Sequence, residues 1–106
     1  MKVDTLARMH RGWIVGDFEP SVLRTAGFEV AVQRYVAGAR EPRHRHDLAI
    51  EITVVLEGEV RVDGVAYRAG DILVVERGEA IAFEAITDAT TLVVKTPSVP
   101  GDKHPC

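Results

Sequence analysis

The sequence predicts an all-β fold, a barrel or a sandwich, on three observations. Apolar or alternating segments of five to nine residues recur along most of the chain. Short turns rich in Gly and Asp separate them, and no segment carries a sustained helical periodicity. At 106 residues the chain is expected to form one domain spanning 1–106, long enough to bury a real core.

Residues 1–11 are weakly patterned; Leu6 and Met9 share a helical face, but no cap or longer run supports a helix. Trp13-Ile14-Val15 predicts a short strand stopped by Gly16, and Phe18–Val22 a turn around Pro20. Phe28–Val36 alternates without Gly, Pro or Asn and predicts the first long strand. Gly38–Pro42 reads as a loop. Ile50–Leu56 is almost wholly β-branched or apolar, the composition of a strand buried on both faces. Asp63-Gly64 sits between two alternating segments, the strongest short hairpin signal in the chain. Asp71–Glu76, Ala80–Ala85 and Thr90–Lys95 follow as strands, divided by turns at Gly70, Gly78 and Asp88. The prolines of Pro97–Cys106 prevent that segment from extending a sheet. Residues 97–106 are therefore expected to leave a barrel core of about 13–96 as an extended tail.

Composition removes several function classes. A net charge of −3 with no basic run gives no reason to expect nucleic acid as a partner. No apolar stretch approaches the ~18 residues of a membrane span, and Asp4 and Arg8 stand where a signal peptide needs apolar residues. The one cysteine, Cys106, excludes an internal disulfide and makes a reducing cytoplasm the default location. There is no Ser-His-Asp set, no phosphate-cradling glycine loop and no nucleophilic cysteine, so catalytic residues stay unassigned.

Chemistry concentrates between Gly38 and Gly58, where His44, His46 and Glu51 lie within eight residues. Two imidazoles and a carboxylate this close can converge on one divalent cation. On an extended segment His44 and His46 share a face while Arg43, Arg45 and Asp47 take the other. A turn near Asp47-Leu48-Ala49 must then reset the alternation so that Glu51 joins them, with Thr53 and Val55 on its face. Arg40, Arg43 and Arg45 read as a solvated charged loop rather than an anion site. Glu57 and Glu59 read as exposed. Trp13, Phe18 and Phe28 read as packing residues, and Gln33, Arg34 or Tyr35 reach the pocket according to a strand parity left open.

The spacing Gly38-x5-His44-x-His46-x4-Glu51-x6-Gly58 resembles the first motif of the cupin superfamily, with all five positions filled. That resemblance implies a double-stranded β-helix, or jelly-roll, barrel with His44, His46 and Glu51 facing inward onto a divalent metal (Fe, Mn, Zn or Ni). The second motif, G-x5-P-x-G-x2-H-x3-N, is only partly present. Gly70 and Gly78 keep their spacing, but Glu76, Ile81 and Ala85 stand at the proline, histidine and asparagine positions. Thr53, Ile81 and Phe83 are then expected to line the pocket. His10 and His104 match no motif position. From about Trp13 to Asp102-Lys103 the chain is also similar to small stand-alone cupins of unassigned activity. The likeness further implies a homodimer, formed through open sheet edges, the strand at Trp13 and the tail.

Three functions fit these residues. One is a metal-dependent enzyme on a small organic substrate, with oxygenase-, isomerase- or lyase-type chemistry. Another is a non-catalytic module that binds a small ligand or metal. The third is a metal-free barrel whose histidines are satisfied by protein hydrogen bonds.

Overall fold

The computed structural model describes residues 1–106 and is all-β apart from one 3-10 turn at Leu6–Arg8. Eleven strands follow in order: β1 (Trp13–Gly16), β2 (Leu23–Arg24), β3 (Glu29–Tyr35), β4 (Arg40–Arg45), β5 (Ile50–Glu57), β6 (Glu59–Val62), β7 (Val65–Arg68), β8 (Ile72–Val75), β9 (Ile81–Ala85), β10 (Ala89–Thr96) and β11 (His104–Pro105). They form a six-stranded sheet ordered β2-β1-β3-β10-β5-β8 and a five-stranded sheet ordered β11-β4-β9-β6-β7. The two are the walls of a double-stranded β-helix. No helix is long and apolar enough to cross a membrane.

Local chemistry accounts for most of these elements. The turn between β6 and β7 takes positive φ at both Asp63 (47°) and Gly64 (84°), the backbone a two-residue hairpin favours. Gly58, between β5 and β6, has φ +81°, and a Cβ there would lie 2.1 Å from the Asp88 carbonyl oxygen. Only glycine lets the chain pass that point. Val55, Val60, Phe83, Ala85 and Ala89 form a buried apolar cluster, with Tyr35, Ala39, Val62 and Tyr67 packed around them.

The structure differs from the sequence expectations at three places. The loop expected over Gly38–Pro42 is already strand from Arg40 onward. Pro42 is accommodated because β4 bulges against β9 there, the register passing from Glu41↔Phe83 to His44↔Ile81; a bulge needs no N–H from that residue. β5 is buried on one face only: Thr53 and Val55 are buried, whereas Ile52 and Leu56 are exposed on the other. The third difference is the tail. It turns back, buries Ser98 and Asp102, and pairs β11 with β4 in the register His104↔Arg45 and Pro105↔His44. Proline ends such a pairing but does not forbid a two-residue edge strand.

Candidate metal centre

β4 carries His44, the chain leaves β4 at His46, and β5 opens with Ile50-Glu51. Between them the turn over Asp47–Ala49 is held by a residue from the tail. Asp102 Oδ1 accepts the N–H of Asp47 (3.0 Å), and its Oδ2 accepts those of Leu48 (3.0 Å) and Ala49 (3.0 Å). Burial alone would raise the Asp102 carboxyl, but these backbone donors outweigh it and hold the group below the usual carboxylate range. The N–H of Gly78 adds a 2.7 Å bond to the His46 carbonyl. The turn that resets the alternation is thus fixed by residues distant in sequence.

His44 Nδ1 lies 2.9 Å from the Pro42 carbonyl oxygen. A carbonyl only accepts, so Nδ1 carries the proton and the Nε2 lone pair is left for a ligand. His46 Nδ1 is 3.7 Å from Glu51 Oε2. Burial first, then the charges of Lys95 and His44, push His46 down to about 4, which keeps its imidazole neutral near pH 7. Burial pushes Glu51 up, opposed by Lys95. One donor atom from each of His44, His46 and Glu51 lies within 4.8 Å of the other two. Donors sharing one ion at bonds of ~2.1 Å stand at most ~4.2 Å apart, so small side-chain rotations bring the three onto a single cation. Two imidazoles and a carboxylate form the donor set of a facial triad. Lys95 Nζ, paired with Glu29 Oε1 at 2.9 Å, lies 3.5 Å from His46 Nε2. The residues present fit a divalent metal.

The triad stands between two cavities. An outer vestibule of about 300 Å³ is lined by His44, His46, Glu51 and Lys95 together with Trp13 and Phe18 and the tail from Val99 to Lys103. An inner cavity of about 330 Å³ is lined by His44 and Glu51 and, deeper, by Thr53, Ile81, Phe83 and Thr91. Glu41 and Gln33 line both. Tyr35 Oη donates to Gln33 Oε1 (2.8 Å) and lies 3.3 Å from Glu41 Oε1. Burial, then the Glu41 charge, holds the Tyr35 phenol protonated well above its ordinary range.

Several sequence readings are thereby placed. Gln33 and Tyr35 face inward and Arg34 outward. Arg40, Arg43 and Arg45 pair with Glu84, Asp63 and Asp47 at 3.4, 2.7 and 2.8 Å, away from both cavities. Trp13 and Phe18 are not core: they meet edge to face at 6.4 Å in the vestibule wall. Phe28 is 39% exposed. His104 lies 3.4 Å from Asp47 and 3.5 Å from Asp102 and stays outside the triad. Ile81 is the register partner of His44. Sequence reasoning missed Lys95, Glu41 and Asp102. Lys95 had a signal, since Ala89, Thr91 and Val93 alternate inward on β10 and the next inward position is this lysine.

Comparison with known proteins is consistent with this geometry. The family described as "Cupin domain" matches residues 31–95. A conserved protein with a double-stranded β-helix domain from Klebsiella pneumoniae superposes with TM-score 0.67 at 23% identity, covering 76% of this chain and 71% of that one. An RmlC-like cupin from Desulfovibrio desulfuricans gives TM-score 0.63 at 28% identity, over 71% of this chain and 76% of that one. A cupin-superfamily sugar phosphate isomerase from Silicibacter pomeroyi gives TM-score 0.62 at 30% identity, over 66% of this chain and 50% of that one. No curated protein matches the chain.

Proposed function

The chain belongs to the cupin domain family, and on that premise we propose that it is a divalent-metal-dependent enzyme acting on a small organic molecule. His44, His46 and Glu51 hold the ion, which is Fe, Mn, Zn or Ni. Bound there, the ion supplies Lewis acidity toward a substrate oxygen.

One observation carries the enzymatic reading over a passive binding module. The triad opens onto an inner cavity in which Glu41 and the Tyr35 phenol stand together. Glu41 is an acceptor able to take a proton, and Tyr35 a donor that keeps its own at neutral pH. A closed apolar pocket around a metal would lack both. The third reading, histidines satisfied within the protein, fits poorly because His44 uses only Nδ1. Isomerase-, lyase- and oxygenase-type reactions all suit an ion with open positions. The Silicibacter pomeroyi isomerase, at 30% identity over half of its own length, supports the first class.

The test is consumption of a compound. Metal-loaded protein is incubated with mixed small organic acids and sugar derivatives and followed by mass spectrometry. The reading expects a compound lost with the parent and not with Glu41→Gln, at equal metal content. Stable binding without turnover by either protein makes it a binding module instead.

We propose further that two copies pair, through a sheet face rather than through edges. Ile52, Leu56, Ile72 and Val74 are 37–63% exposed on the outside of the six-stranded sheet. Val94 lies beside Ile52, and Leu92 beside Val54, in register. This outer patch over β10, β5 and β8 bears no charge among these side chains. A second copy covers it by two-fold symmetry with no charged partner required.

A further inference from the structure

Resting on the metal reading above, we infer that the barrel receives a small monoanion across the metal centre. Its anionic head faces Lys95 and its uncharged, hydroxyl- or carbonyl-bearing tail runs into the inner cavity toward Thr91.

The tail is specified by Thr91. This residue is 1% exposed, lines the inner cavity, and its Oγ1 has no hydrogen-bond partner in the protein. Buried hydroxyls are almost always satisfied. Its register neighbours do not supply one: Val55 has no polar side-chain atom, and the Gln33 amide, which accepts from Tyr35, makes no bond to it. The missing partner is therefore supplied by what fills the cavity. No Lys or Arg lines that space, whereas Glu41, Glu51 and Glu79 do, and Val62, Phe83 and Val93 make its wall apolar. A charged carboxylate or phosphate tail would be buried there without a counterion, which is strongly unfavourable.

The vestibule, unlike the inner cavity, carries cations: Arg11, Lys95 and Lys103 line it, beside Glu19, Glu29, Glu41, Glu51 and Asp102. Glu29 pairs with Lys95 Nζ at 2.9 Å and accepts from Ser98 Oγ at 2.7 Å, and Asp102 accepts the backbone N–H groups of the 47–49 turn. Lys95 stands opposite Glu51 in the β10–β5 register, and Thr91 lies four residues further along β10. At ~3.4 Å per residue the two are about 14 Å apart along the strand. A short-chain acid held at the metal by its head therefore reaches toward Thr91 with its other end.

Calorimetry of the Ni(II)-loaded protein with pentanoate, 5-hydroxypentanoate and glutarate tests this. The hydroxy acid is expected to bind roughly three- to tenfold tighter than pentanoate, one hydrogen bond's worth. Glutarate should bind at least about tenfold weaker than pentanoate, because its second charge is buried unpaired. Thr91→Val should erase the hydroxyl advantage, leave pentanoate unchanged, and leave the ligand-free protein no less stable. Lys95→Met combined with Glu29→Gln, which removes the pair without leaving a lone charge, should weaken all three probes alike. Glutarate binding as tightly as pentanoate, an unaltered order in Thr91→Val, or no probe binding to loaded protein overturns the inference. Metal content is measured on the same samples. If nickel binds but the order is absent, this inference alone fails. If nickel does not bind, the metal reading fails and this inference fails with it.

Discussion

The Nζ of Lys95 stops 3.5 Å from the Nε2 of His46, one of the three candidate ligands. The same ammonium is 2.9 Å from Glu29 Oε1 and 4.8 Å from the centre of the Trp13 ring. It is held on three sides and aimed at the triad.

Two positive charges so close repel, so Lys95 opposes the ion that its neighbours attract. Replacing Lys95 with Met and Glu29 with Gln together should tighten divalent metal by at least about tenfold, or ~1.4 kcal/mol. Competition with a fluorescent chelator reads this. Unchanged or weaker metal affinity in the double variant refutes the opposition.

Asp102 anchors the turn between the ligands. Asp102→Ala removes the acceptor of three backbone donors and should cost roughly 2–4 kcal/mol of stability, as loss of charge-assisted bonds does. It should also weaken metal binding, since the turn aims His46 and Glu51. Urea denaturation measures the first effect and metal titration the second. A neutral outcome in both would mean the tail merely rests on the barrel.

In the metal-free protein, His46 is lowered from 6.5 to about 4. The unfolded chain therefore binds its proton first, and stability should fall as pH drops from about 6.5 to about 4. Asp102 acts lower down: its depressed pKa stabilises the fold above the ordinary carboxylate range and loses that effect as pH falls through the folded value. His46→Gln should flatten the upper limb of a melting-temperature profile and spare the lower one. An identical profile in the variant contradicts this assignment.

Ile81 faces His44 across the β4–β9 pair, where paired side chains start ~5 Å apart. Ile81→His should add a fourth donor, slow metal loss to a chelator and enlarge the thermal shift that metal produces. Without metal the variant should be less stable by roughly 1–3 kcal/mol, the cost of a buried ring without a partner. If added metal stabilises the variant no more than the parent, the alignment of Ile81 with the ion is wrong.

What the sequence made legible was local. The Asp63-Gly64 turn follows from residue chemistry, and the spacing of His44, His46 and Glu51 carries their convergence. Long-range complementarity was not legible. Asp102 meets the backbone of Asp47–Ala49 only after the chain has run through six further strands, β5 to β10, and no local pattern marks that meeting. The outer face of β5 shows another limit. Ile52, Val54 and Leu56 suit either a second covering layer or a second molecule, and composition does not separate these. Lys95 was readable by parity but stood in a segment judged only as a strand.

The central claim is that His44, His46 and Glu51 hold one ion. Calorimetric titration of chelator-stripped protein with Ni(II), Mn(II) and Zn(II) tests it most directly, beside the His44→Ala/His46→Ala variant checked for an intact fold by circular dichroism. The account predicts one ion per chain in the parent and none in the variant. Binding of equal stoichiometry in both, or none in the parent, would contradict it.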